Sequence, residues 1–118
     1  MTKILSKDEK LMWFKYRKPA GSNIHRLKVN QVNLSTANSI PHELAKTKIA
    51  LELMKDGHKI ITEAEEIATG LRRDLVDLTF QEIYEFDESS TKRGKRHPKG
   101  INVYWYDLQR FRTKEEVE

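Results

Sequence analysis

The chain of 118 residues contains no cysteine, only three prolines and five glycines. Without cysteine it can form no disulfide bond, no thiolate metal site and no cysteine nucleophile. No apolar run approaches the roughly 20 residues that a membrane-spanning helix needs, and the first residues lack the apolar core of a signal peptide. We therefore expect one soluble domain, intracellular and cytoplasmic, without a membrane partner.

Charged side chains are abundant and are sorted along the chain. Lysine and arginine number 22 against 18 acidic residues, which gives a formal net charge of +4. Basic residues are concentrated at 15–18 and 92–99, and acidic residues at 63–66 and 74–88. The excess of positive charge is compatible with a polyanionic partner, although segregated charge on a solvated surface is also common.

Turn-forming and apolar residues predict a hairpin followed by a helix. Residues 10–17 and 24–34 contain aromatic and β-branched side chains and are separated by proline, glycine and asparagine, which predicts an N-terminal β-hairpin. Ser39 is the predicted cap of one amphipathic helix with Pro41 in its first turn. This helix is predicted to end at Asp56 and Gly57.

Strands dominate the rest of the chain. Their β-branched and aromatic residues predict strands at 58–65, 74–79, 82–87 and 101–111. Residues 88–100 are polar, basic and interrupted by glycine and proline, which predicts a mobile loop. The fold class is therefore α+β (α/β), with a mixed central sheet and one long helix before it. The predicted parts of this single domain are a hairpin extension at 1–38, a core at 39–112 and a frayed tail at 113–118.

Acidic residues interrupt the strand pair at 74–87. Side chains alternate between the two faces of a strand, and a short turn near Phe80 sets Asp74 opposite Glu85. Opposed like charges destabilise a sheet, and a shared divalent cation would remove that penalty. The alternative is an open sheet face on which Arg72, Arg73 and Lys92 neutralise the two acids. Two more acids, Asp77 and Glu82, are predicted to point into solvent on the other face.

Residues 41–89 resemble the small PD-(D/E)XK nuclease-like domains, whose core is a helix, three strands, a helix and a further strand. The resemblance lies in "PHELAKTK" at the helix, "ITEAEE" on the first strand, and "RRD" and "IYEFD" on the next two. It implies a restriction-endonuclease-like core that hydrolyses DNA phosphodiester bonds with Mg²⁺, or with Mn²⁺ in its place. Compact domains of this kind are often encoded by viruses, which would place the protein in the host cytoplasm.

The resemblance also implies roles for individual residues. Asp74 and Glu85 would be metal ligands, and Glu63 from the first strand would be a third acid. His42 and Glu43 would approach the same cavity from the helix, although both also fit an exposed first helical turn.

The family lysine is missing from its expected position, where this sequence has Asp87. Either Lys92 or Lys95 supplies the cation, or Asp87 acts as a further acid, or the chemistry has been lost.

The basic loop and the aromatic residues offer contacts for nucleic acid. Phosphates would be bound by Lys92, Arg93, Lys95, Arg96 and Lys99. Bases could stack on aromatic side chains, which are otherwise core or dimer contacts: Trp13, Phe14, Tyr104, Trp105 and Tyr106. Three hypotheses therefore stay open: a Mg²⁺-dependent nuclease, an inactive nucleic-acid-binding protein on the same scaffold, and a structural protein that forms an oligomer such as a homodimer.

Overall fold

The computed structural model describes residues 4–19, 27–87 and 102–107. They form an α+β domain with two helices and a five-stranded mixed sheet. The elements are α1 (Lys7–Trp13), β1 (Tyr16–Arg17), α2 (Ile40–Lys55), β2 (Ile60–Glu66), β3 (Arg72–Asp77), β4 (Glu82–Asp87) and β5 (Asn102–Asp107). Neither of these described helices is long and apolar enough to cross a membrane. The predicted loop at 88–100 and the predicted tail at 113–118 lie outside the described residues.

The five strands follow one another across the sheet in chain order, from β1 to β5. Neighbours from β1 to β4 are antiparallel, whereas β4 and β5 are parallel. A short turn joins β3 to β4, and the ladder pairs Leu75 with Tyr84 and Val76 with Ile83. This is the register predicted from the sequence, and in it Asp74 stands next in line opposite Glu85.

Apolar side chains cover both faces of the sheet. Neighbouring residues of a strand pack on opposite sides: Ile60 lies in the cluster with α2, and Ile61 lies in the cluster with Met12 of α1. The cluster on the α1 side contains Met12, Tyr16, Leu27, Ile61, Ala64, Val76, Leu78 and Ile83. The cluster on the α2 side contains Ala45, Ile49, Ala50, Ile60, Leu75, Tyr84 and Phe86. The sheet is thus buried between two layers, which is where an ionic site would be shielded from water.

Helix α2 begins and ends where the sequence predicts. The Ser39 hydroxyl accepts the N–H of His42 at 3.2 Å, and Gly57, with φ +87°, follows the last turn. The distribution of its side chains is unusual, because Leu44 and Leu51 are exposed whereas the polar side chains of His42 and Lys46 are buried. The buried side chains are those of His42, Ala45, Lys46, Ile49 and Ala50. The helix therefore turns His42 and Lys46 towards the sheet from its first half, beside the apolar residues Ala45, Ile49 and Ala50.

The predicted N-terminal hairpin is wrong. Ser6 and Glu9 form a capping box, in which the Glu9 N–H donates to Ser6 Oγ at 3.2 Å and the Ser6 N–H donates to Glu9 Oε1 at 2.8 Å, and this starts helix α1. Strand β1 pairs with β2 and not with the second predicted arm. Residues 27–34 of that arm form no strand, and the N–H of Asn33 instead donates to Thr62 Oγ1 of β2 at 2.7 Å.

The prediction that Asp77 points into solvent is also wrong. Its side chain is fully buried at the end of β3. One carboxylate oxygen accepts the N–H groups of Thr79 and Phe80 at 2.9 and 3.2 Å, and the other lies 2.6 Å from His58 Nδ1. Aspartate commonly accepts backbone N–H groups two and three residues on, so Asp77 holds the turn between β3 and β4.

Candidate active site

Three acidic residues lie at one level of three neighbouring strands. Glu63 is on β2, Asp74 on β3 and Glu85 on β4. Strands β2 and β3 pair on both sides of Glu63 and Asp74 but are not paired at these two residues. We call Glu63, Asp74 and Glu85 the carboxylate row. The row marks an interruption of the sheet, not a continuation of it.

The backbone changes direction at the row, and carboxylates replace the missing ladder bonds. Glu63 has a left-handed φ of 51°, and both Ile61 before it and Ala64 after it pack on the α1 side, a spacing that regular alternation does not give. The N–H of Asp74 donates to Glu85 Oε2 at 3.1 Å, and the N–H of Phe86 donates to Asp74 Oδ2 at 3.0 Å. These acids are tolerated inside a sheet because they accept the hydrogen bonds that the partner strand would otherwise accept.

His42 connects helix α2 to the row. Its Nδ1 lies 2.7 Å from Glu43 Oε2 and its Nε2 lies 3.2 Å from Asp74 Oδ2. Burial alone would lower the pKa of His42, but the two carboxylates outweigh it and raise that pKa above its usual value. Both nitrogens can donate only in the protonated ring, so the two carboxylates favour the imidazolium form of His42.

Lys46 brings a buried amino group to the row. The side chain is fully buried, and Nζ donates to Glu43 Oε1 at 2.6 Å, to Glu63 Oε2 at 3.0 Å and to the carbonyl of Asn33 at 2.7 Å. The sequence prediction missed this residue. The available signal was its spacing, because residues three and four positions apart, such as Glu43 and His42 relative to Lys46, share one face of a helix.

A second buried basic side chain, that of Arg73, supports the far end of the row. Its Nη1 donates to Glu85 Oε1 at 3.3 Å, and its Nη2 donates to Glu66 Oε1 at 3.0 Å. The Tyr16 hydroxyl of β1 donates to Glu66 Oε2 at 3.4 Å. Burial, reinforced by the charge of Glu66, raises the pKa of Tyr16 well above its usual value, so this hydroxyl stays protonated. We call Tyr16, Glu66, Arg73 and Glu85 the arginine network.

The site carries more negative than positive charge. Five carboxylates face the buried basic side chains of Lys46 and Arg73, the half-exposed Arg72, whose Nη1 lies 3.8 Å from Glu63 Oε1, and the ring of His42. Burial raises the pKa of Glu63, and although Lys46 opposes this effect, the charges of Asp74 and Glu43 reinforce it. Burial also acts to raise the pKa of Asp74, but its side-chain contacts with His42 and Glu85, together with the N–H of Phe86, outweigh it and lower that pKa. The five carboxylates are Glu43, Glu63, Glu66, Asp74 and Glu85.

The donor chemistry of the row suits a hard divalent cation, because such ions prefer carboxylate oxygens. The arrangement of the side chains is different. Within the described residues no three or more histidine, aspartate or glutamate side chains are grouped to hold a metal ion, and Lys46 Nζ lies between Glu43 and Glu63. A cation bound by the row would therefore share these acids with Lys46 and His42.

The structure brings together five of the acidic and histidine residues that the sequence singled out: His42, Glu43, Glu63, Asp74 and Glu85. Glu85 is only 1% exposed, so the alternative of an open, solvated sheet face is wrong for this residue. Arg73 does neutralise Glu85, as that alternative held. The side chain of Asp87 lies outside the described part of the chain, as do Lys92, Arg93, Lys95, Arg96 and Lys99 of the predicted basic loop.

The aromatic residues fall into two groups. Phe14 and Tyr104 are exposed, whereas Trp13 packs against the α1-side cluster. Tyr104 stacks on Tyr84 at 5.2 Å between ring centroids, and Tyr106 stacks on Phe86 at 5.4 Å. The rings of Tyr104 and Tyr106 are therefore first of all packing partners of β4. The side chain of Trp105 lies outside the described part of the chain.

Comparison with protein-family models, curated proteins and solved structures finds no match to this chain. The resemblance to PD-(D/E)XK domains therefore rests on the order of sequence motifs alone.

Proposed function

We propose that the protein is a metal-dependent phosphodiester hydrolase acting on DNA, with the carboxylate row as its reaction centre. The observation that carries this proposal is the row itself. Three acids on neighbouring strands interrupt the sheet, and a helix that exposes leucine turns a histidine and a lysine towards them. An interrupted ladder, buried charges and exposed leucines that occur together at one place are typical of a functional site and not of a core built only for stability.

Each residue of the site has a role in this proposal. Asp74 and Glu63 would hold Mg²⁺ or Mn²⁺ with Glu85 beside them, and the bound metal would supply a more acidic water and charge stabilisation at the phosphate. The three donors of the Lys46 ammonium are taken by Glu43, Glu63 and the carbonyl of Asn33, so in this proposal Lys46 holds Glu63 in place for the metal. His42 orients the Asp74 carboxylate through its 3.2 Å contact.

The order of the elements supports the finer proposal of a restriction-endonuclease-like core. Helix α2 precedes an antiparallel run of three strands, β2 to β4, and a last strand that is parallel to β4. Nuclease-like domains of the resembled type have a helix, three strands, a second helix and a further strand, and the place of that second helix, between β4 and β5, lies outside the described residues. Virus-encoded origin and a cytoplasmic location remain part of the proposal.

Asp74→Asn tests the proposal with little disturbance of the fold. Asparagine is isosteric and its carbonyl oxygen can still accept the N–H of Phe86, but the charge that would hold the metal is gone. We expect wild-type protein to cleave DNA in Mg²⁺ and the variant to retain DNA while cleavage falls by at least a hundredfold. Asp56→Asn, an exposed acid after the other end of α2, is the matched control and should cleave like wild type.

Equal cleavage by Asp74→Asn and wild type would overturn the assignment. Glu85→Ala is a poorer test, because Glu85 is buried against Arg73 and its removal leaves that cation without its partner. Loss of activity in Glu85→Ala could then reflect loss of fold. Circular dichroism and thermal unfolding of Asp74→Asn should match those of wild type before its cleavage rate is compared.

A second candidate is a non-catalytic nucleic-acid-binding protein on the same scaffold. It is favoured by one observation: Lys46 and His42 already engage Glu43, Glu63 and Asp74. This candidate predicts DNA retention that weakens as salt rises, without cleavage in Mg²⁺ or Mn²⁺.

A further inference from the structure

Arg73 supports the far end of the carboxylate row. Its side chain is fully buried, and it forks between two carboxylates, Glu85 on one side and Glu66 on the other. Glu66 is in turn held by the hydroxyl of Tyr16 and by that of Thr69, whose Oγ1 lies 2.6 Å from Glu66 Oε1. The arginine network thus runs from strand β1, through β2 and β3, to the last acid of the row.

Stability alone is a weak reason for this arrangement. Removing a guanidinium and two carboxylates from water costs free energy that their attraction only partly returns, and apolar side chains of similar volume are often at least as stabilising. Apolar neighbours are present on this side of the sheet, since Ala64 and Val76 pack in the α1-side cluster. A planar guanidinium that donates one nitrogen to Glu85 and the other to Glu66 does offer something that apolar packing lacks, which is a fixed position of the two carboxylates relative to each other.

That fixed position bears directly on the carboxylate row. Arg73 takes Glu85 Oε1, and this leaves Glu85 Oε2 to accept the N–H of Asp74 at 3.1 Å. The backbone at Asp74 is therefore held from one side by Glu85, while the Asp74 carboxylate is held by the N–H of Phe86 and by His42. Rotation of the Glu85 carboxylate would break its hydrogen bond with the Asp74 N–H, and Asp74 would then no longer be held in line with Glu63 and Glu85.

We propose that Arg73 is a positioning residue that fixes Glu85 and, through it, Asp74, and that Glu66 and Tyr16 brace Arg73 from the N-terminal strand. Its role in the reaction rests on the function proposed above, whereas its effect on Asp74 does not. Strand β1 is thereby part of the support of the site and not merely an edge of the sheet.

Arg73→Lys is the test, because lysine keeps the charge but cannot bridge two carboxylates with a planar fork. Two readouts are combined: hydrogen exchange of the Asp74 amide, followed by NMR, and Mn²⁺ binding, followed by titration. We expect the Asp74 amide to exchange at least tenfold faster, and Mn²⁺ to bind about 10- to 100-fold more weakly, the usual effect of losing a group that orients a metal ligand. Arg17→Gln is the control, because Arg17 bonds to Glu65 on the surface of the same strands.

Each outcome decides the proposal. Faster exchange at Asp74 in Arg73→Lys, with Arg17→Gln like wild type, supports it. Exchange and Mn²⁺ affinity within twofold of wild type overturn it, since a merely structural arginine would leave both unchanged in a folded variant. If Arg73→Lys does not fold, Glu66→Gln keeps Arg73 and is judged by the same two readouts. If wild type neither binds Mn²⁺ nor cleaves DNA, the proposed function fails, and Asp74 exchange alone decides whether Arg73 positions Glu85.

Discussion

Replacement of Lys46 by methionine should destabilise the protein strongly and in a pH-dependent way. Methionine has a similar length, so the change removes mainly the charge and three hydrogen bonds, two to the carboxylates of Glu43 and Glu63 and one to the carbonyl of Asn33. Removing one partner from a buried ion pair leaves the other charge uncompensated, which costs about 3 to 5 kcal/mol. We expect a loss of that size in the free energy of unfolding at pH 7.5.

The pH dependence of this loss follows from Glu63. Burial already raises the pKa of Glu63, and Lys46 is the main influence that opposes the rise. Without Lys46 the pKa rises further, so the carboxyl becomes neutral in the folded protein at a higher pH. When the pKa of a carboxyl is higher in the folded than in the unfolded protein, the group does not affect stability below its unfolded pKa. It lowers the free energy of unfolding as the pH rises from there through the folded pKa. The loss in Lys46→Met should therefore shrink between pH 7.5 and pH 5.

Urea unfolding at both pH values measures this loss, with Lys48→Met as the control. Lys48 is exposed on the same helix, so its replacement should change the free energy of unfolding by less than about 1 kcal/mol. The reasoning is refuted if Lys46→Met loses less than about 1 kcal/mol at pH 7.5, or if its loss is the same at pH 5.

Two further predictions concern acids outside the row. Burial acts to raise the pKa of Glu9, but hydrogen bonds from Ser6, Thr79 and Lys59 outweigh it and lower the pKa to about 2. Glu9 therefore stabilises the fold above its unfolded pKa and loses this effect as the pH falls towards 2. In thermal unfolding, Glu9→Gln should have a lower melting temperature than wild type at pH 6 and the same melting temperature near pH 2. Asp77→Ala leaves two backbone N–H groups of the β3–β4 turn without their acceptor and should cost about 3 kcal/mol in urea unfolding, whereas a loss under about 1 kcal/mol would contradict its role.

The elements that the sequence predicts well are those with local signals. Ser39 and Gly57 bound helix α2 because a cap and a left-handed residue are local requirements. The register of β3 and β4 follows from a short turn and strict alternation, and it sets Asp74 opposite Glu85. Helix α1 could have been predicted as well, since Ser6 and Glu9 have the spacing of a capping box.

The charged interior of the site could not be predicted in the same way. Leu44 and Leu51 match a helical period as well as the buried residues do, so periodicity alone does not say that Lys46 faces the sheet. The left-handed backbone of Glu63 leaves no trace in a sequence that reads as a continuous strand. Long-range contacts decide both features, and such contacts join residues that no local rule relates.

Incubation of the pure protein with linear, circular and single-stranded DNA, in Mg²⁺, in Mn²⁺ or in EDTA, tests the central claim most directly. The carboxylate row as a reaction centre predicts cleavage of at least one DNA form in Mg²⁺ or Mn²⁺, and none in EDTA. DNA that is retained but left intact in both metals would contradict catalysis and favour the non-catalytic candidate. If the protein neither retains nor cleaves DNA, even at low salt, this result would contradict any nucleic-acid function of the row.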